Sequence, residues 1–247
     1  MDELNYNIDI PEFGKLSSHS SIVVLSGAGI SQESGIKTFR DNDGLWEEYN
    51  VNEVATPEAW SKNRDLVLRF YNERRRQLLA VEPNDAHRYL AKLQNHVNTQ
   101  IITQNIDDLH ERGGSRNVLH LHGELRKARS SVDDTLLYDV EGWELKDGDL
   151  CEKGSQLRPH VVWFGEMVPM MIPATRLVSE ADFLIVVGTS LNVYPAAGLL
   201  FDVSKGVPIV VIDPSEMDLS RFSNVYHIRE KASVAVKNLV LKMLASL

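Results

Sequence analysis

The sequence predicts an α/β protein with a doubly wound parallel sheet, and three observations carry that prediction. Short runs rich in valine and isoleucine recur at residues 21–25, 100–103, 117–121, 183–187 and 208–212. Most end in turn residues or helix starts, the rhythm of strands alternating with crossovers. Between them, residues 65–79 place Leu66, Val67, Phe70, Tyr71 and Leu78 at helical spacing.

Composition sets the outer bounds. A chain of 247 residues with 43% hydrophobic residues can bury a sizeable core, as one large domain or as a large and a small one. No apolar run nears the roughly 20 residues that span a bilayer. The opening MDELNYNIDI has no basic flank or apolar stretch, so a cytoplasmic protein without membrane contact is expected. A single cysteine, Cys151, excludes an intramolecular disulfide framework and a zinc site of thiolates alone. The net charge of −9 argues against bulk electrostatic binding of nucleic acid.

The elements follow in order. Residues 1–20 read as an N-terminal extension. The first strand runs into Gly27-Ala28-Gly29-Ile30, where glycines let a backbone approach a pyrophosphate and amides at a helix start face the anion. The usual dinucleotide fingerprint places its last glycine soon after the second. Here the next is Gly35, so a phosphate cradle and a plain turn both stand. Part of 40–85 reads as a helical module, in which Arg75 and Arg76 form a solvated face. Pro83-Asn84-Asp85 then gives a stop and a cap for a helix through about Gln94.

Strand 100–103 exits into Thr103-Gln104-Asn105-Ile106-Asp107, two amides and a carboxylate at a strand end where ligands bind in open α/β sheets. Alternatively, Asp107 caps a helix that stops at Gly113. The next strand carries His120 and His122, two apart and so on one face. Such a pair can ligate a metal or supply a base. A metal would need a third ligand from His160, Cys151 or a carboxylate, and His122, before Gly123 at the strand's end, is better placed for chemistry. Residues 127–157 are polar and turn-rich, an insertion between 21–126 and 158–247 of the larger domain. Strand 183–187 exits into Gly188-Thr189-Ser190, with open backbone and hydroxyls for a ribose or phosphate, and 233–247 reads as a closing amphipathic helix.

In this order, SGAGIS, SGI, FR, TQNID, LHGE, VVWFGE and GTSLNVYPAA resemble the sirtuins, NAD-dependent protein lysine deacylases, over residues 20–240. The likeness is closest to the bacterial class III type. It implies a Rossmann-like domain with a small lobe inserted after the histidine block, and NAD as cofactor. Gly27, Ala28, Gly29, Ile30, Phe39 and Arg40 would form the cofactor loop, and Gln104 and Asn105 would lie by the nicotinamide ribose. Ile106 and Asp107 would line the nicotinamide pocket, with Gly188, Thr189 and Ser190 against the adenosine half. His122 would be the catalytic base, with Asn105 and Asp107 completing the catalytic set. It would draw a proton from a ribose hydroxyl as the acyl group passes to ADP-ribose and nicotinamide leaves. Val162, Trp163, Phe164 and Gly165 would form the floor and flank of the substrate channel. Leu191, Asn192 and Val193 would pair with an extended acylated-lysine peptide. The chain is expected to act as a monomer.

The chain departs from the family at the lobe. Many sirtuins hold it with two C-x-x-C pairs around one zinc, whereas only Cys151 is present here. A metal-free lobe packed on Leu136, Tyr138, Trp143 and Leu145 is expected. Asp213 stands where the family has asparagine facing the adenine ribose, and Ala232 matches the adenine contact. Tyr71 and Arg74, three apart, share a helix face. In sirtuins that remove succinyl, malonyl and glutaryl groups, a Tyr-x-x-Arg pair binds the acyl carboxylate, an anion suited to a guanidinium and a phenol. Two rival readings keep the same residues: ADP-ribosyl transfer or NAD hydrolysis, and a non-catalytic NAD- or acyl-peptide-binding module. The channel residues favour the deacylase over the first, and His122, Asn105 and Asp107 together speak against the second.

Overall fold

The computed structural model describes residues 10–37 and 49–247. Among these described residues, nine strands follow in chain order: β1 (Ser21–Ser26), β2 (Asn98–Thr103), β3 (Val118–His120), β4 (Gly123–Ser130), β5 (Leu137–Asp139), β6 (Leu157–Val161), β7 (Phe183–Val187), β8 (Ile209–Ile212) and β9 (Val225–Ile228). Six of them pair in parallel in the order β3-β2-β1-β7-β8-β9. The winding reverses between β1 and β7, which opens a crevice beyond their C-terminal ends. Strand β9 has no counterpart among the predicted strands. Its Val225, Tyr226, His227 and Ile228 are each half-buried at the sheet edge, so the run lacks an unbroken apolar character.

Helices α1 (Ala28–Gln32), α2 (Val51–Val54), α3 (Pro57–Lys62), α4 (Arg64–Leu79), α5 (Asp85–Gln94), α6 (Leu109–Arg112), α7 (Met171–Ser179) and α8 (Ala232–Ser246) surround the sheets. Alternation along the strands decides which face each residue takes. Ile22, Val24, Phe183, Ile185, Val210 and Ile212 pack with α5 and α8 through Leu90, Leu93, Val236 and Leu239. Val23, Leu25, Leu184, Val186, Ile209 and Val211 pack on the other face with Ala174 and Val178 of α7. Asn84 caps α5 by accepting from the Ala86 amide while His87 Nδ1 accepts from the Asn84 amide, a closed capping box. No helix among the described residues is long and apolar enough to cross a membrane.

The insertion is a second, antiparallel sheet in the order β5-β4-β6. It runs from Gly123 to Val161, past both ends expected from the loss of period. Its core joins Ala128, Val140, Leu145, Cys151 and Leu157 to Leu68 of α4, with Leu136 and Tyr138 against it. Trp143 is not part of that core: it is 39% exposed, with the Arg76 guanidinium over its ring. The larger correction concerns Arg75, read above as solvated but fully buried. It donates to the carbonyls of Leu125 and Trp143 and to Asn72 Oδ1, each at 2.7 Å. Asn72 in turn exchanges two hydrogen bonds with the Leu145 backbone, at 2.9 and 3.0 Å. Leu68, Asn72 and Arg75 thus form a second buried stripe of α4, at i, i+4 and i+7, which fastens the small sheet.

Candidate active site

The loops after β1 and β7 touch backbone to backbone. The amide of Gly27 donates to the Val187 carbonyl at 3.0 Å and that of Gly29 to the Gly188 carbonyl at 2.8 Å. A Cβ on Gly29 would lie 2.8 Å from Gly188 Cα, and one on Gly188, whose φ is +63°, would lie 2.3 Å from the Ile30 nitrogen. This corrects one expectation. The amides of Gly27 and Gly29 are engaged within the protein and do not face an anion; the glycines are required because two strand exits share one space. Phe39 and Arg40 lie outside the described residues.

The exit of β2 is clamped between these loops. Gln104 donates its amide to the Ser26 carbonyl at 2.9 Å and its side chain to Thr189 Oγ1 at 3.1 Å, and Thr189 Oγ1 also accepts from the Leu191 amide. Buried Asn105 donates both side-chain hydrogens, to the Gly27 carbonyl and to Ser31 Oγ, each at 3.1 Å. Its Oδ1 is therefore turned out as an acceptor. Thr103 Oγ1 accepts from the Asn105 amide and from Ser26 Oγ, and Ser26 Oγ meets His110 Nε2 at 2.9 Å. Sequence reasoning missed this chain of Ser26, Thr103 and His110. The available signal was two hydroxyl residues ending two adjacent apolar strands, in register with each other.

The two histidines of the LHLHG block are anchored in different ways. Strand β3 ends at His120, so His122 stands on the bend leading to Gly123, not on the strand as expected. His122 Nδ1 donates to the Gln104 carbonyl at 2.9 Å, because a carbonyl can only accept. In the neutral ring this fixes Nε2 as the lone-pair nitrogen. Burial holds its pKa below the usual histidine value, only partly offset by that hydrogen bond. His120 has both nitrogens engaged, by the Asn105 carbonyl at 3.0 Å and Glu111 Oε1 at 2.9 Å. Burial alone would lower its pKa, but Glu111 and the carbonyl raise it on balance. His120 therefore suits an imidazolium and has no lone pair to offer. Asp107 is buried, accepts from the Leu109 amide at 3.2 Å and is bonded to the Ser31 hydroxyl. Burial pushes its pKa up against those bonds. The expected cap does not fall on Asp107: the N-cap residue of α6 is Asp108, which makes no side-chain capping bond.

The expected substrate flank is mixed. Val162 is tied to the His122 carbonyl at 2.9 Å, and Phe164 and Gly165 are exposed. Trp163 is 2% exposed, its indole donating to the Tyr71 hydroxyl at 3.0 Å. Tyr71 and Arg74 are both buried, and Asp107 is among the charges acting on Arg74. Ile106 is half-buried against the cluster of Tyr71 and Trp163. Leu191, with φ of +56°, is half-buried, while Asn192 and Val193 are exposed. Ser190 is half-buried and follows Thr189 at the same loop. At the far side of the sheet, Asp213 leaves β8 with Oδ1 accepting from the Ser215 amide at 2.9 Å, and Ala232 opens α8. No group of three or more histidine, cysteine or acidic side chains among the described residues could hold a metal.

A base of fixed tautomer, an outward amide oxygen and a buried carboxylate at the switch point of a doubly wound sheet define a nucleotide-binding α/β protein with a catalytic crevice. The family model described as "Sir2 family" matches residues 27–195, and the chain belongs to that family. It is 53% identical over 224 residues to an NAD-dependent protein deacylase of Helicobacter pylori strain 26695, covering 91% of this chain and 97% of that one. A protein of the same description from Bacteroides thetaiotaomicron is 49% identical, covering 89% and 96%. Among solved structures, a serine-to-alanine variant of a Sir2 homologue in complex with ADP-ribose superposes with a TM-score of 0.88 at 40% identity, covering 96% and 97%. A Sir2 homologue in complex with NAD gives 0.87 at 40% identity, covering 97% and 95%.

Proposed function

We propose that this protein is an NAD-dependent protein lysine deacylase that accepts acyl groups ending in a carboxylate as well as acetyl. The observation that carries the catalytic part is His122, whose Nδ1 is held by the Gln104 carbonyl and whose Nε2 is left as a base. Bound NAD supplies ADP-ribose as the acyl acceptor, with nicotinamide as the leaving group. Gly27, Ala28, Gly29, Ile30, Gln104, Gly188, Thr189, Ser190, Asp213 and Ala232 would surround it, in a crevice fitted to it by the unused acceptor of Asn105. That oxygen can accept a hydrogen bond from a ribose hydroxyl or a water, while His122 Nε2 removes the proton from the ribose hydroxyl whose oxygen attacks. The exposed Phe164, Asn192 and Val193 would border an acylated-lysine peptide.

Acyl preference rests on Tyr71 and Arg74. The Tyr71 oxygen accepts from Trp163, whose indole can only donate, so the phenol's own proton must point elsewhere. Burial pushes its pKa up to about 12, which keeps it a donor. A buried phenol and guanidinium together suit a carboxylate at the end of a succinyl or malonyl chain. The lobe needs no zinc in this reading, since one thiol cannot replace four ligands and Cys151 Sγ already meets Ser155 Oγ at 3.1 Å. A cytoplasmic location completes the proposal.

Incubation with NAD and acetyl- or succinyl-lysine peptides, with a peptide-free control, tests it. Peptide-dependent nicotinamide release with acyl-ADP-ribose as product is expected. Release without peptide would replace the deacylase by an NAD hydrolase. Arg74→Met should lower kcat/KM for the succinyl peptide about 100-fold more than for the acetyl peptide, as for a charged hydrogen-bonded pair. Equal losses would remove Arg74 from acyl recognition.

A further inference from the structure

The proposed acyl pocket is oriented from outside itself. Trp163 meets Trp60, at 5.8 Å between ring centroids, and the Arg158 guanidinium, whose carbon is 3.3 Å from the Trp163 ring centre. Arg158 is in turn held by Glu166, through two hydrogen bonds of 2.8 and 3.1 Å. The same carboxylate accepts the Trp163 amide at 2.8 Å, and Arg129 reaches it at 3.3 Å. Arg129 and Arg158 belong to β4 and β6 of the small sheet. Glu166 and the stacked guanidinium thus fix both the backbone and the ring plane of Trp163, and the ring's only polar hydrogen meets Tyr71.

We propose that Trp163, clamped by Arg158 and Glu166, is a positioning residue that sets the direction of the Tyr71 hydroxyl proton and thereby the preference for carboxylate-bearing acyl groups. The inference rests on the reading of Tyr71 and Arg74 as the acyl-carboxylate site. A phenol free to rotate could turn its proton away and meet the anion with a lone pair. The indole N–H occupies that lone pair and leaves the proton for the ligand. The small sheet then contributes to selectivity through Arg158.

Steady-state kinetics of Trp163→Phe with succinyl- and butyryl-lysine peptides, which differ chiefly in the terminal carboxylate, provide the test. The ratio of kcat/KM, succinyl over butyryl, should fall about tenfold, mainly through KM for the succinyl peptide. In a Tyr71→Phe background, Trp163→Phe should change that ratio by less than about twofold, since the group it orients is gone. Equal losses on both peptides, or the same tenfold fall in the Tyr71→Phe background, would overturn the inference. If Trp163→Phe does not fold, Arg158→Met replaces it, with a smaller fall in the same ratio expected and an unchanged ratio against it. A wild-type protein that prefers butyryl- to succinyl-lysine, with Arg74→Met indifferent to the carboxylate, would defeat the acyl-pocket reading itself and is distinguishable from these outcomes.

Discussion

The crevice at the ends of β1, β2 and β7 and the small sheet are both held by buried polar contacts, but of opposite kinds. At the crevice, neutral groups bond to neighbouring backbone: Asn105 to Gly27, His122 to Gln104, Gly29 to Gly188. At the small sheet, charged guanidinium groups reach carbonyls and a carboxylate: Arg75 to Leu125 and Trp143, Arg158 to Glu166. The first arrangement leaves selected atoms unsatisfied so that a ligand can use them. The second spends charged donors on tying elements together, even though Arg75 Nη2 and Arg158 Nε are buried without a partner among the described residues. Damage to the first should therefore appear in rate, and damage to the second in stability.

The largest effect should come from the crevice. His122→Ala should lower the rate of acyl transfer about 10²- to 10⁴-fold, the range for a positioned general base, with the unfolding midpoint little changed. Because burial holds the pKa of His122 down, the reactive neutral form persists below the ordinary histidine range. The acid limb of kcat/KM should then lie below about pH 6.5. A limb above that value in a pH–rate profile would mean that another group governs the activity.

The small sheet should fail in the other way. Arg75→Met removes three hydrogen bonds and leaves the Leu125 and Trp143 carbonyls without that donor, so a loss of about 3 kcal/mol is expected in urea unfolding. The kcat of the fraction that remains folded should stay within a few-fold. A stable variant with collapsed activity would reverse the assignment of roles.

The same contrast explains what could be read in the sequence. Strand exits are contiguous: Gly27 to Ile30, Gln104 to Asp107 and Gly188 to Ser190 each follow an apolar run directly, so the motif and its place in the sheet are visible together. The stripe Leu68, Asn72 and Arg75 has helical spacing too, but two of its three residues are polar and their partners lie 50 to 73 positions away. A rule that seeks apolar residues at i, i+4 and i+7 passes over it. Trp143 departs from expectation for a related reason: its carbonyl is what Arg75 holds, while its ring lies outside under Arg76. The purpose of the glycines was only half legible, since the partner loop that crowds Gly29 begins at Gly188, far along the chain.

The smallest effect separates the two regions by pH. His87 and His110 lie beneath the crevice with ring centroids 4.9 Å apart, and His110 meets Ser26 at the base of the chain that holds Asn105. Burial, with Arg88 adding to it, lowers the pKa of His87 to about 3; burial, followed by the charges of His87 and His120, lowers that of His110 as well. Between about pH 6.5 and 3 the unfolded chain therefore binds a proton that folded His87 refuses, and stability rises with pH across that window. The contribution of His87 is complete above about pH 6.5 and has fallen by about 1.4 kcal/mol at pH 5.5. His87→Gln keeps an acceptor for the N-cap amide, since glutamine suits that position of a capping box, and should show an acid slope shallower by about that amount in urea titrations at pH 7.5 and 5.5. The arginines of the small sheet remain charged throughout, so Arg75→Met should leave the acid slope as it is in the wild type. If instead Arg75→Met flattens the slope and His87→Gln does not, the neutral pair under the crevice is not what makes the fold sensitive to acid.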